Sequence, residues 1–290
     1  MRSTISTCRR ITSRTEERMA STPTTLTTPS ASPNANASFL RGSAILIIWG
    51  GVDDPTTNEE ALNAWWTNEH LPERLSIPGF HRTRRFYTLK NAQSQYLVVY
   101  EVESLETLTS PDYMEALNNP TPSTAKFMPL LASMNRSACR LLHSVARDEF
   151  TSGTQTKNGI GGTVAHIVFE PPSTAEAKEA LQKWIVDVGW PSLAAFPSPL
   201  AMHLLEHDDA ASKSGSSTKS YEDVRFQGAE GESESGSQGR WMLLIEFAEP
   251  FGAPFSRAFT LTDTIADKLD DQGATDIDVR LYSLICAASE

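Results

Sequence analysis

The chain has 290 residues, 39% of them apolar, and a formal net charge of −11. That is length enough for one large domain or two small ones with a buried core. An acidic balance argues against nucleic acid or an anionic membrane as the main partner, because phosphate recognition needs a basic face. No apolar run approaches the roughly 20 residues that cross a bilayer, so no membrane span is expected.

Residues 1 to about 40 are mostly Ser, Thr, Pro, Asn and Ala. So few large apolar residues cannot repay the entropy of ordering, and a disordered tail is expected. Its opening carries Arg2, Arg9, Arg10, Arg14 and Arg18 with no acid before Glu16, which leaves a mitochondrial address open beside a cytoplasmic one. Cys8, Cys139 and Cys286 form no CxxC and no zinc spacing. Free thiols in a reducing, cytoplasmic compartment are the expectation.

From residue 44 the pattern becomes regular. Ala44 to Trp49 is a short β-branched run and reads as a buried strand, followed by turn and cap chemistry at Asp53-Asp54-Pro55. Leu62, Trp65, Trp66 and Glu69 have helical spacing, and Pro72 predicts a helix end near His70. Strands are expected over 80–89, 96–102 and 136–145, with a helix over 105–119, giving the order β-α-β-β-α-β. Asp148 to Gly162 is rich in Ser, Thr and Gly and reads as a linker.

The pattern then repeats. Leu62 aligns with Leu181, Trp65 with Trp184, Pro72 with Pro191 and Pro78 with Pro197, all at an offset of 119 positions. Glu101 aligns with Glu246 at an offset of 145, the difference being about the length of a Ser-, Gly- and acid-rich stretch at 208–239 that reads as a disordered insertion. In this second copy the expected elements are strands over 163–169, 200–207, 241–246 and 276–285 and helices over 174–188 and 255–269. The fold class expected is α+β, two tandem ferredoxin-like units whose open sheet faces close on each other as an intramolecular α+β barrel. The domains would be a tail (1–40), a first repeat (41–150), a linker (151–162) and a second repeat (163–290).

Within that barrel, alternation along the strands places Arg82, Arg84 and His203 toward the inter-sheet space. Arg82, Arg84 and Arg85 could hold a carboxylate or phenolate ligand, or be surface strand charges with salt-bridge partners such as Glu101. A one-residue slip in register would present His81, Thr83, Arg85 and Tyr87 instead. His70 is a candidate general acid/base, because an imidazole titrates near working pH. Its other reading is a helix-end residue bonded to a carbonyl. Trp66 is a candidate ligand-stacking wall or a packing residue. Spacing that would announce a metal, nucleotide or dinucleotide site is missing, so no cofactor is expected.

Glu69-His70-Leu71-Pro72, Ile77-Pro78-Gly79-Phe80, Arg84-Arg85-Phe86 and the YLVVYEVESLETL segment from Tyr96 together resemble the EthD-like group of the dimeric α+β-barrel superfamily, most closely its fungal two-copy members. The match covers about residues 44–147 well and 163–287 in pattern. The resemblance implies a small-molecule protein, catalytic in some members as monooxygenase, cyclase or dehydratase and of no assigned activity in others. It places an acid/base histidine at His70, whereas Gly189 holds that position in the second copy. The expected function is cofactor-independent proton transfer on an apolar or aromatic, polyketide-like substrate in the inter-sheet cavity, with His70 catalytic and Trp66, Arg82, Arg84 and His203 binding. The alternative is a non-catalytic ligand-binding or structural protein. Internal pairing of the two sheets predicts a monomer, an internal pseudo-dimer, whose partner is a small molecule.

Overall fold

The structure, a computed structural model, describes residues 39–52, 56–90, 93–131, 134–151, 159–222, 224 and 239–290. Eight strands are hydrogen-bonded into one closed antiparallel barrel in the order β1-β3-β2-β8-β5-β7-β6-β4. They are β1 Ala44–Gly51, β2 Phe80–Lys90, β3 Gln93–Val102, β4 Asn135–Ala146, β5 Thr163–Glu170, β6 Pro199–His207, β7 Trp241–Phe247 and β8 Thr275–Ser289. The helices are α1 Glu59–Trp65, α2 Leu71–Leu75, α3 Pro111–Asn118, α4 Pro122–Phe127, α5 Asp148–Thr151, α6 Ala175–Trp184, α7 Trp190–Ala194, α8 Asp209–Lys213 and α9 Ala258–Asp271. None of the described helices is long and apolar enough to cross a membrane.

The strand sequence β4-β1-β3-β2 recurs as β8-β5-β7-β6, and β2–β8 and β6–β4 pairing joins the two runs. One chain therefore closes the barrel, and none of the described strands is left with an unpaired edge to template association. The apolar strands are continuous because both faces are covered. On β1, Ala44, Leu46 and Ile48 pack beneath helices of the first half, while Ile45, Ile47 and Trp49 point into the barrel. On β7 the outward set is Trp241, Leu243 and Ile245 and the inward set is Met242 and Leu244. Three cores follow from this alternation, one under each set of helices and one inside the barrel.

Two local features recur at the spacing of 119. A break in register between Phe80 and Arg82 against β3 has its counterpart between Pro199 and Ala201 against β7. A π turn at Trp66–His70, between α1 and α2, has its counterpart at Ile185–Gly189, between α6 and α7. Proline explains the second feature. Pro72 and Pro191 lack an N–H and crowd the carbonyl one turn back, and widening to an i→i−5 closure, Leu71 N–H to Trp66 O, relieves the clash. The helix therefore does not stop at His70 as the proline predicted but runs on to Leu75.

Other expectations change for equally local reasons. The N-cap of α1 is Asn58, whose Oδ1 accepts from the Ala61 N–H at 3.0 Å. The expected cap at Asp53-Asp54-Pro55 lies outside the described residues. The single helix over 105–119 divides into a 3-10 turn, Leu105–Thr109, and α3, because Pro111 sits at the first turn of a helix capped by the Ser110 hydroxyl. Asp148–Thr151, read as the start of a linker, is a helical turn. Two ends of expected disordered segments are ordered. Phe39 and Leu40 are buried in the barrel core, and residues 208–222 form α8 and a 3-10 turn, Lys219–Tyr221, with Asp208 capping α8 and Ala211 and Tyr221 buried. The rest of the expected tail (1–38), linker (152–158) and insertion (225–238) lies outside the described residues, as does the reading of residues 1–18 as a targeting segment.

Candidate active site beneath the first helix

Inside the barrel the expected inward set is what the register delivers: Arg82, Arg84 and His203 lie in the interior layer with Phe86, Ala201 and Leu205. The interior is filled by side chains such as Phe39, Trp49, Met242, Leu244 and Tyr282, so these three residues line a packed core, and Arg82 also borders a small cleft of about 100 Å³ with Ile160, Ala287, Ala288 and Ser289. Arg82 Nε donates to Glu101 Oε1 at 2.8 Å, and its two terminal nitrogens donate to the carbonyls of Gly159 and Phe39 at 2.9 Å each. Arg84 bridges Glu101 at 3.1 Å and Glu246 on the opposite strand. Burial opposes the charge on Arg84, but Glu246 and Glu101 outweigh it and hold the guanidinium above its ordinary range. Two arginines thus balance two fully buried carboxylates, and both are committed to these partners.

His203 completes this layer. Its Nδ1 shares a hydrogen bond with the Ser144 hydroxyl at 2.9 Å and its ring lies 5.5 Å from that of Phe39. Burial, then Arg84 and Arg82, keep the imidazole neutral by pulling its pKa well below the usual value. His166, edge-on to Trp49 at 5.0 Å, is pulled by burial to about 3.

His70 and Trp66 are elsewhere, on the outer face of the first half, so the five expected site residues divide between two layers of the molecule. The His70 ring lies 4.8 Å from Trp65, which stacks on Phe127 of α4 at 5.3 Å. Its Nδ1 is 3.7 Å from a Glu73 carboxylate oxygen. Burial lowers its pKa to about 4 against the opposing pull of Glu73. The imidazole is therefore neutral at pH 7 and a weak base.

Trp66 belongs to a denser constellation. Arg85 on β2, fully buried, lies 5.2 Å from the Trp66 ring and 5.7 Å from the ring of Tyr96 on β3. It donates to Asn63 Oδ1 on α1, and among the described residues no carboxylate is within ion-pairing distance of it. Burial lowers its pKa, with only thiol and phenol groups working the other way. Asn63 Nδ2 donates to the Tyr96 hydroxyl at 3.0 Å, and that hydroxyl donates to Glu59 Oε2 at 2.9 Å. Glu59 is exposed, so the chain Arg85-Asn63-Tyr96-Glu59 leads from the interior to solvent. The Tyr100 hydroxyl and Trp66 Nε1 are buried together beside this group, and the indole acts on the hydroxyl as a hydrogen-bond partner. Burial raises the pKa of Tyr100 and of Tyr96, so both are neutral donors at pH 7.

This arrangement offers a desolvated cation walled by aromatic rings, neutral hydroxyl and indole donors, and a proton path to water. Of its members the sequence singles out Trp66 and Arg85, the latter with Arg82 and Arg84 as a candidate holder of an anion. By strand parity Arg85 lies on the opposite face of β2 from Arg82 and Arg84, which places it against the Trp66 ring. The alternation Tyr96, Val98, Tyr100 on β3 and the pair Asn63, Trp66 one helical turn apart are the signals that would have found the rest. Among the described residues no group of three or more His, Cys, Asp or Glu side chains is placed to hold a metal ion.

No protein-family pattern matches the chain, and no curated protein matches it. Solved structures share its fold. An anthrone oxidase-like protein superposes with a TM-score of 0.51 at 11% identity, over 87% of this chain and 95% of the other. A candidate monooxygenase from Fusobacterium nucleatum subsp. nucleatum gives 0.50 at 8% identity, over 87% and 96%. At these identities the likeness is one of fold.

Proposed function

We propose that the protein is a small-molecule enzyme of the α+β-barrel type, built from two tandem ferredoxin-like units and akin to the EthD-like group. It takes an apolar, aromatic or polyketide-like molecule and moves a proton through its own side chains. Arg85 carries this reading. A buried arginine that has aromatic faces and an amide around it but no carboxylate is costly to maintain, and a phenolate or enolate formed from a bound substrate would supply the missing charge. Trp66 and Tyr96 would flank the substrate ring, and Tyr96 with Glu59 would pass the proton to solvent.

His70, expected from the sequence to carry the proton, enters this proposal as a neutral hydrogen-bonding ring beside Trp65, since a pKa of about 4 leaves it a weak base. Arg82, Arg84 and His203 would hold the barrel shut and not the substrate. The fold of two solved structures, one called anthrone oxidase-like and one a candidate monooxygenase, supports a reading of this kind. Closure of the barrel by β2–β8 and β6–β4 pairing within one chain supports a monomer.

The test is Arg85→Leu, assayed with a panel of quinols and polycyclic phenols. Loss of an anion-stabilising donor lowers turnover by about 100-fold or more. His70→Ala lowers it less. Turnover unchanged in Arg85→Leu overturns the assignment. Wild-type protein that binds panel members but converts none of them is a ligand-binding protein.

A further inference from the structure

The strand that closes the barrel brings a cysteine to Arg85. Cys286 of β8 pairs with Arg85 of β2 where the two halves join. Residues directly opposite each other on neighbouring strands share a face, with Cβ atoms about 4.5–5.5 Å apart. Here the face is the outer one, since Cys286 packs against the core under the first-half helices and its sulfur lies 3.9 Å from the Thr67 hydroxyl of the π turn. The matching pair at the other junction is His143 opposite Leu204. Barrel closure therefore demands neither the thiol nor the guanidinium.

Two observations set this thiol apart from a packing residue. Arg85 is 1% exposed, spends its terminal nitrogens on Asn63, and keeps Nε without a hydrogen-bond partner among the described residues. Of the groups that oppose burial at Arg85, the Cys286 sulfur acts most strongly. The second observation is a contrast between two cysteines. Cys286 is only half-buried, whereas Cys139 is sealed in the barrel interior, where burial pushes its thiol up to about 12. A partly exposed sulfur beside a cation is the setting in which cysteines react, and one sealed in apolar surroundings is inert.

We propose that Cys286 is an oxidative modification site, converted by a hydroperoxide to a sulfenate that pairs with Arg85 and takes the place of the anionic substrate. The sulfur, as thiolate, attacks one peroxide oxygen. An S–O bond forms, the O–O bond breaks, and the two electrons given up by sulfur leave with the second oxygen, which takes up the proton lost by the thiol and departs as water. The sulfenic O–H then releases its proton to solvent, and the oxygen left behind accepts from the free Nε–H of Arg85 in a charge-assisted bond. A buried guanidinium without a carboxylate gains its counter-charge in this way, and an external thiol reverses the step through a mixed disulfide. The modification stands by itself, but the block rests on the function proposed above for Arg85.

Peptide mass spectrometry after thiol alkylation tests it, following each cysteine of the full chain exposed to hydrogen peroxide. Cys286 is expected to lose its thiol at least about tenfold faster than Cys139, and dithiothreitol to restore it. Arg85→Leu slows that loss by on the order of tenfold, and Arg85→Lys, which keeps the charge, retains most of the rate. The comparison with Cys139 needs no variant: loss at Cys286 no faster than at Cys139 overturns the proposal, as does an unchanged rate in folded Arg85→Leu. Turnover of the quinol and phenol panel is then measured after the peroxide is removed. Wild type loses turnover in step with oxidation of Cys286 and regains it with dithiothreitol, while Cys286→Ser is equally active with and without the treatment. Turnover that survives full oxidation of Cys286 overturns the block. Oxidation of Cys286 as expected, in a protein that converts no member of the panel, removes the function proposed for Arg85 and leaves the modification site standing.

Discussion

The first half, β1 to β4, and the second half, β5 to β8, share strand order, register break and π turn, yet they fill the layer between helix and sheet with opposite chemistry. Where the first half places Arg74, Arg85 and Tyr100, the offsets of 119 and 145 place Leu193, Leu204 and Ile245 in the second. Strand register agrees with the offsets, since Arg85 pairs with Val98 on β3 as Leu204 pairs with Leu243 on β7. The second-half residues all lie in one apolar core. This architecture therefore closes without buried arginines, and apolar replacements for buried charges are often neutral or stabilising. The polar layer of the first half is a departure that folding does not require, which is what a site leaves behind in a scaffold.

The barrel interior, where the halves meet, treats them differently again. Glu101 and Glu246 occupy matching positions, but both arginines that neutralise them come from β2, while β6 offers Ala201 and His203. Removing either carboxylate should be the most damaging single change in the molecule. Glu101→Ala leaves Arg82 without its carboxylate and Arg84 with one partner, and strips the acceptor from the Arg41 N–H, bonded at 2.9 Å. A loss of about 3–5 kcal/mol is expected in urea or thermal unfolding. A loss below about 1 kcal/mol would show the network to be solvated and the halves less tightly joined than the register implies.

The next effect in size belongs to a residue that only the first half has. Burial holds His70 near 4, below its unfolded value of 6.5, so the unfolded chain binds the extra proton across that interval. The stabilising effect of the neutral ring is fully present above pH 6.5 and is lost as pH falls through 4. The difference of about 2.5 units corresponds to about 3 kcal/mol. His166, pulled to about 3, acts in the same direction, so the readout is the difference between wild type and His70→Asn. The variant's stability should fall less steeply between pH 6.5 and 4. Parallel curves would mean that the ring titrates as in water.

Periodicity and offset made the strands, their order and the inward face of β2 legible, because alternation is a property of the chain itself. The barrel interior was readable for the same reason: Arg82, Arg84 and His203 share parity with Phe86 and Leu205. A salt bridge to Glu101 was one of the two readings of these arginines, but the sequence could not choose it over a ligand or point to Glu246, since Glu101 and Glu246 lie 19 and 162 residues from the arginines they bind. Arg85 was obscured by following Arg84 on a strand that is buried on both faces and carries polar residues on each. The segment between β6 and β7 could not be foreseen from its Ser- and Gly-rich composition, which reads as disorder, because its order comes from Tyr221, Ala211 and Arg136 packing across halves. Composition reports what a segment can bury by itself and says nothing of a surface already waiting for it.

The smallest predicted effect falls where the halves differ by one missing side chain. Gly189 holds the place of His70 at the end of the second π turn, with φ −59, a helical value that any residue adopts. A Cβ built there would meet the Trp184 ring at 3.5 Å and the Trp184 carbonyl oxygen at 3.7 Å, which is ordinary contact. The glycine is thus not demanded by the backbone or by crowding, and it costs conformational entropy that an alanine would save. Gly189→Ala should stabilise the protein by about 0.5–1 kcal/mol in thermal unfolding and leave ligand binding in the first half untouched. Destabilisation instead would show that the second π turn is tighter than its twin. The missing imidazole would then be excluded by the scaffold and not simply unused there.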